Sequence, residues 1–405
     1  MENRPCIIFG KPYLSFEDEY VFLNCDVSIN DEIKTFWFKY DKKFEKYLVT
    51  ESNEAFVLSF LPYCMKKNVD IKCEHPVNEV FKNQIEEYLI PTLARNIKSY
   101  NKIEIQSPVN NITYAGKGVA VGISCGVDST YTILKNHKTH SKDSGLNINY
   151  VTFFNAGSSG SSEKSYDLYN KRLEEAKKAA EFLGLELIAV DTNINSIYVD
   201  FDYESVHSYR TLSIPLTLQK LFSRYYYSSS FVFEDFKFDD KDPTYHDLLT
   251  MTCVSTPSLT FTVVGGEVTR IEKVKFISQF DFPKHFLNVC VRKETNCSKC
   301  FKCIRTMLDL YLIGKLDEFN AVFDVDYFHS HFDEYVVYAI EHRQDIDMPE
   351  IYEHLCAKKV IKHKHRRAVR VNRLKRMILG TFIGSIYKKL KHQKGKKWFK
   401  WKRYY

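Results

Sequence analysis

Cys290, Cys297, Cys300 and Cys303 stand in the pattern C-x6-C-x2-C-x2-C. Four thiolates at that spacing suit a tetrahedral Zn2+ and leave no coordination position open for a catalytic water, so the metal would be structural. An iron–sulfur cluster is the rival occupant, since C-x2-C-x2-C also serves there; zinc is the stronger expectation. Lys299 and Lys302 put the loop at the surface, which argues against four free core cysteines. With Arg305 they would also offset the charge of a four-thiolate centre.

The second stretch with chemical potential is Ser124-Cys125-Gly126-Val127-Asp128-Ser129, between the apolar run Val119–Ile123 and a helical stretch from Asp128 to about Asn136. A turn from strand to helix exposes backbone N–H groups and the positive end of the helix dipole to an anion. Gly126 lets the backbone approach closely, and Ser124 and Ser129 supply hydroxyls. Asp128 has a place in an anion site only if it handles a metal ion or orients a donor. The turn is neither a Walker A loop nor a G-x-G-x-x-G fingerprint, and on these residues alone an ordinary polar turn stays open. Nothing near Cys125 in sequence lowers its pKa, so it is not expected to be a nucleophile.

These residues need a scaffold. Val119–Ile123, Tyr150–Phe154 and Glu186–Val190 read as short buried strands, separated by the Asp128–Asn136 helix and an amphipathic helix over Tyr166–Leu183 that Gly184 stops. Strand–helix–strand–helix–strand predicts right-handed βαβ units and a parallel sheet. Ligands of such sheets sit beyond the carboxyl ends of the strands. Both polar loops, 124–129 and Asn155–Gly160, fall there.

The Ser124–Ser129 turn resembles the S-G-G-x-D-S loop of the PP-loop ATP pyrophosphatases, with Cys125 in place of a glycine. The cysteine run and Ile304–Phe319 after it resemble the C-terminal part of the 7-cyano-7-deazaguanine synthase branch. Thr269-Arg270-Ile271-Glu272 is similar to the T/S-K/R-x-E element of PP-loop folds. These matches cover about residues 113–320. The resemblance implies a Rossmann-like α/β PP-loop domain that binds ATP with Mg2+. It implies adenylation of a carboxylate or amide oxygen of a small molecule, then displacement of AMP by ammonia or another nitrogen nucleophile. By that likeness Ser124, Cys125, Gly126, Val127, Asp128 and Ser129 bind the phosphates. Phe154 and Asn155 receive the adenine through their backbone, Asp128 serves Mg2+ or orients the loop, and Arg210 and Arg270 stabilise charge. Arg210 is expected just before an apolar helix over Thr211–Phe222; Lys273 is another possible charge partner, read first as a solvated lysine. The polar loop Ser255–Ser258 is a weaker substrate-contact candidate.

Residues 1–112 read as a separate small α+β domain, with strands at Tyr20–Asn24 and Lys34–Tyr40 and a helical stripe over Asn78–Asn96 bent or started at Pro91. Residues 113–330 form the expected catalytic domain, 331–357 a helical extension and 358–405 a basic tail. The N-terminal unit and the tail set the chain apart from the synthase itself. Sugar amidotransferase-like chemistry of surface polysaccharides, RNA modification and a non-catalytic nucleotide-binding role are therefore alternatives.

Charge divides the chain unevenly. Of 58 Lys/Arg, 19 lie in residues 358–405, which hold none of the 51 Asp/Glu; the preceding 357 residues thus carry 39 basic against 51 acidic side chains, a balance of −12. An acidic body with a basic tail is not a broad nucleic-acid binder. The tail, with Trp398, Phe399 and Trp401 among lysines, suits an anionic membrane surface. RNA or docking on a partner are the other readings, and a second copy of the chain is a further candidate partner. At 44% hydrophobic and 15% aromatic residues, wholesale disorder is excluded. Eleven cysteines, an odd number, and no apolar signal core at Met1–Pro5 lead to a cytoplasmic, reducing location as the expectation, with peripheral membrane contact through the tail.

Overall fold

The computed structural model describes residues 4–158, 163–291 and 293–377. Ser159 and Gly160 of the second polar loop lie outside the described residues. So does the tail beyond Met377, with the expectation for its terminal aromatic block.

Among the described residues there are thirteen strands. They are β1 Cys6–Phe9, β2 Tyr13–Glu17, β3 Tyr20–Ile29, β4 Glu32–Asp41, β5 Asp70–Cys73, β6 Val77–Asn78 and β7 Ile105–Gln106, then β8 Val109–Asn110, β9 Gly118–Gly122, β10 Tyr150–Asn155, β11 Glu186–Thr192, β12 Phe222–Ser228 and β13 Thr260–Val264. Eleven make one sheet in the order β13-β12-β9-β10-β11-β4-β3-β1-β5-β7, with β2 on β3. The fold is α/β with a mostly parallel central sheet.

The five strands β13 to β11 run parallel. From β9 the chain steps outward through β10 to β11, then returns to the other side of β9 for β12 and β13. Strand order therefore reverses beside β9, and the crevice at its carboxyl end is a topological switch point. The Ser124–Ser129 turn leaves β9 at that end.

The sheet does not stop at residue 113. β4 lies antiparallel on β11, with Lys39 opposite Asp191 and Phe38 opposite Thr192. Side chains reinforce this seam: Thr192 Oγ1 donates to the Trp37 carbonyl at 2.7 Å, and Asn193 accepts from the Trp37 N–H at 2.8 Å and donates to the Thr35 carbonyl at 2.9 Å. One core runs across the seam, joining Phe9, Phe38, Phe56 and Phe60 to Ile188, Val190, Leu212 and Tyr225. Each large apolar side chain buried there contributes about 1.5–3 kcal/mol toward holding the sheet together across the seam. The opposite face of the sheet carries a second core of Val119, Val121, Ile133, Val274, Met307 and Phe328.

The stripe expected over Asn78–Asn96 is helix in three pieces: Glu79–Asn83, a π-turn over Gln84–Leu89 and Ile90–Asn96, where Pro91 occupies a first-turn position. The apolar helix expected over Thr211–Phe222 is His207–Leu216, so Arg210 lies inside it and not before it, and Phe222 opens β12.

The start of the basic tail is attached to the body. Lys358 Nζ donates to the Leu312 carbonyl at 2.6 Å, and residues 363–377 are helical. His365, buried, meets Asp333 at 2.8 Å, and Arg376 meets Glu341 at 2.9 Å. Lys364 and Arg376 find carboxylates on helix Phe332–Glu341, which composition alone did not reveal. Among the described residues no helix is long and apolar enough to cross a membrane.

Candidate functional site

Gly126 caps helix Val127–Asn136, which is ten residues long. The turn is braced from within: the Ser124 and Ser129 hydroxyls lie 2.9 Å apart, Ser129 Oγ donates to the Gly126 carbonyl at 3.3 Å, and the Gly126 N–H points at Ser124 Oγ at 3.3 Å. Ser124 is exposed and Ser129 buried. The first N–H groups of the helix have no intrahelical acceptors, which leaves them available to an anion at this mouth.

Cys125 holds φ at +56°, the left-handed region where a side chain costs about 1–2 kcal/mol and glycine costs little. Its carbonyl accepts from the Asn288 N–H at 2.8 Å, which ties the turn to the segment leading into the cysteine run. Burial pushes its thiol up to about 12, so it is an inert, packed side chain. Cys125→Gly should be close to neutral in stability, lost packing offsetting relieved strain. Cys125→Val should cost about 2 kcal/mol or more in chemical denaturation, because a β-branched residue fits this φ poorly.

Asp128 is the charged centre of the site. Lys273 Nζ lies 2.8 Å from Asp128 Oδ1 and 2.7 Å from the Ser229 carbonyl just past β12, so it bridges the helix that follows β9 and the segment that follows β12. Burial pushes the Asp128 carboxyl up, but Lys273, with Arg270 and Arg305 behind it, outweighs that and holds it below its ordinary value. Lys273 is itself buried, not the solvated lysine expected. The sequence offers it as a possible charge partner but favours the solvated reading, because a lysine on helix Arg270–Ile277 reads as surface until the helix is placed against the turn.

Thr269-Arg270-Ile271-Glu272 begins that helix as a capping box: Glu272 Oε2 accepts from the Thr269 N–H at 2.8 Å, and Thr269 Oγ1 receives the Glu272 N–H at 3.4 Å. Thr269 Oγ1 also donates to Glu350 at 2.7 Å. The Arg270 side chain, 9% exposed, donates to Thr306 Oγ1 at 2.9 Å, with Asp309 at 3.4 Å. Arg305 pairs with Asp347 at 2.5 Å and is buried, and Lys302 is half-buried, so neither is the surface cation its neighbours suggested. Burial drives Asp309 up to about 7 in spite of these arginines.

Arg210 is brought to the second polar loop. It is 5% exposed, sandwiched between the Tyr198 and Tyr203 rings, and donates to Asn195 Oδ1 at 2.8 Å. Gly157, at φ +98°, leaves its guanidinium just enough room: a Cβ there would stand 2.8 Å from Nη1. Asn155 Nδ2 donates to Asp191 at 2.8 Å, and Phe154 stacks on Tyr225 with centroids 6.3 Å apart. Thr256 and Ser258 are engaged structurally, with Gln219 and the Tyr114 N–H.

The sulfurs of Cys290, Cys297, Cys300 and Cys303 all lie within 4.8 Å of one another, close enough to hold a metal ion. Individual spacings are 3.5 Å for Cys300–Cys303, 3.9 Å for Cys290–Cys300 and 4.0 Å for Cys297–Cys303. Cys300 caps helix Phe301–Leu312, whose inner face carries Met307 and Leu308 into the second core.

Sequence reasoning gave no hint of Asp247. It opens helix Asp247–Val254 and is 2% exposed, with the Ser208 and Tyr227 hydroxyls facing its carboxylate. It lines a small cavity with Ser229, Phe231, Phe233 and Tyr245, against the strand end that Lys273 grips. Burial raises its pKa well above that of a free aspartate. A raised folded pKa means stability is lost as pH rises from about 4, the unfolded value, toward the folded one. Asp247→Asn should therefore gain stability relative to wild type as pH rises through that window, read from denaturation midpoints at each pH.

Compared with protein-family models, with curated proteins and with solved structures, the chain matches none.

Proposed function

We propose that the chain is an ATP-dependent, AMP-forming enzyme of the PP-loop type, in which a carboxylate or amide oxygen of a small molecule is activated for attack by a nitrogen nucleophile. The observation that carries this reading is the placement of the Ser124–Ser129 turn. It is a strand-to-helix anion site at the switch point of a parallel sheet, with Asp128 held ionised by Lys273. Its resemblance to the PP-loop signature supplies the reaction class. In this reading the turn holds the pyrophosphate end of ATP. Asp128, about a quarter exposed (27%), is the carboxylate able to meet Mg2+, which usually takes one or two carboxylates beside phosphate oxygens and water. The substrate oxygen attacks the α-phosphorus, pyrophosphate leaves with the P–O electron pair, and the nucleophile then displaces AMP. Lys273 and the helix N-terminus oppose the charge that gathers on the departing pyrophosphate. Arg210 shapes the second loop, where the nucleoside would lie, and Arg270 acts through Thr306 and Asp309, both as positioning residues.

The metal in this reading is structural zinc. Zn–S bonds of about 2.3 Å give tetrahedral S···S edges of about 3.8 Å; three of the six spacings fall at 3.5–4.0 Å and all lie within 4.8 Å. Sulfurs this close enclose one ion and leave no room for several iron atoms. The ion would clamp the segment that holds the Cys125 carbonyl and the helix bearing Thr306 and Asp309, with no coordination site left for chemistry. Pyrophosphate-dependent label exchange into ATP, across a panel of small carboxylates, tests the reading: exchange that depends on one carboxylate class supports it.

A further inference from the structure

Helix 363–377 has two different faces. One is locked to the body: His365, 2% exposed, accepts the Lys362 N–H at 3.0 Å through Nδ1 and meets Asp333 through Nε2 at 2.8 Å, Lys364 pairs with the same carboxylate, and Arg376 holds Glu341. Ala368, Val369 and Asn372, half-buried, lie on that side at the about 100° per residue of an α-helix. The other face points away from the body and consists of Arg366, Arg367, Arg370, Val371, Arg373 and Leu374, all exposed. Val371 is 43% and Leu374 58% exposed, each flanked by arginines, and no acidic residue lies in 358–405.

We propose that this outward face is a docking surface for the anionic headgroups of a lipid bilayer, with the helix lying along the membrane plane and Val371 and Leu374 entering the headgroup boundary. Three features favour lipid over nucleic acid. A phosphate backbone gains nothing from two exposed aliphatic side chains spaced one helical turn apart, whereas an interfacial helix needs them. The next 28 residues carry nine more Lys/Arg and Trp398, Phe399 and Trp401, the residue types that settle at headgroups. The first 357 residues, at −12, offer an anionic surface no general attraction, so contact falls to this end of the chain. The ties of His365 and Arg376 to helix Phe332–Glu341 fix the helix on its inner side and leave the arginines turned outward. This inference is independent of the chemistry proposed for the Ser124–Ser129 turn.

The test is co-sedimentation of the full chain with vesicles of phosphatidylcholine alone and of phosphatidylcholine with phosphatidylserine, near physiological ionic strength. Binding is expected to the phosphatidylserine vesicles only, and Val371→Glu with Leu374→Glu should weaken it at least about tenfold with an unchanged unfolding midpoint, since both positions are exposed. Arg367→Gln with Arg370→Gln should weaken it as well. Equal binding to neutral vesicles, or binding untouched by the Val371/Leu374 pair, overturns the assignment to this face. Failure to bind phosphatidylserine vesicles while binding RNA with a steep salt dependence overturns the lipid class.

Discussion

With zinc held as proposed, Cys303→Ser should release it and destabilise the chain by about 3–5 kcal/mol, because losing a structural ion removes a folding term larger than most single contacts. The expectation follows from where Cys303 sits. Its Sγ is 3.5 Å from Cys300 and 4.0 Å from Cys297, and its helix feeds Met307 and Leu308 into the second core. Three thiolates could still bind an ion weakly. The loop, however, closes on itself through Asn296, whose side chain accepts from the Val289 N–H and donates to the Leu287 carbonyl, and a slack cluster would loosen that clasp. Metal analysis of the wild type should find about one zinc per chain with no visible absorption band, as a d10 ion in a closed site requires. Iron with a visible chromophore would replace zinc by a cluster. The Asn288 N–H that holds the Cys125 carbonyl lies just before the first ligand, so the variant should also weaken ATP binding.

The second large effect is at the Lys273–Asp128 pair. Lys273→Met should reduce AMP-forming turnover by roughly 10²–10³-fold, the usual loss for one charge placed on a departing group. It should also cost about 2 kcal/mol of stability, less than a fully buried pair would, because Asp128 is 27% exposed. The pH dependence has a definite sign. Lys273 and Arg270 hold the Asp128 carboxyl below its ordinary value against the pull of burial, so its contribution is present above the unfolded pKa and is lost as pH falls through the folded one. Lys273→Met removes the partner, so the variant should lose part of this acid-side slope. Lys273→Arg keeps the charge but must also reach the Ser229 carbonyl, and partial rescue of turnover with full rescue of stability would separate positioning from charge.

What could be read in the sequence was local. The cysteine run, the Ser124–Ser129 turn and the strand–helix alternation around them depend on spacings of a few residues, and the observed elements begin and end within a few residues of those expected. What could not be read depends on partners far apart in the chain. β4 joins β11 across some 150 residues of sequence, so the first 112 residues, which look like a separate unit by composition, share a sheet and a core with the rest. Lys273 and Asp247 look like ordinary polar residues on helices until tertiary packing buries them. The tail looked detached because a run of lysines carries no record of Asp333 and Glu341, the carboxylates that receive it. Thr269–Glu272 shows a further ambiguity: its residues only resemble a family element, whereas the capping box they form is observed.

In the proposed reaction ATP is cleaved at the α-phosphorus at the Ser124–Ser129 turn. The most direct measurement follows α-labelled ATP with Mg2+ and the carboxylate panel on the full chain, beside Asp128→Ala, and separates AMP from ADP. Carboxylate-dependent AMP and pyrophosphate, lost in Asp128→Ala, is the predicted result. ADP as the product, AMP formation untouched by Asp128→Ala, or no measurable binding of ATP to the folded, zinc-loaded chain would contradict it.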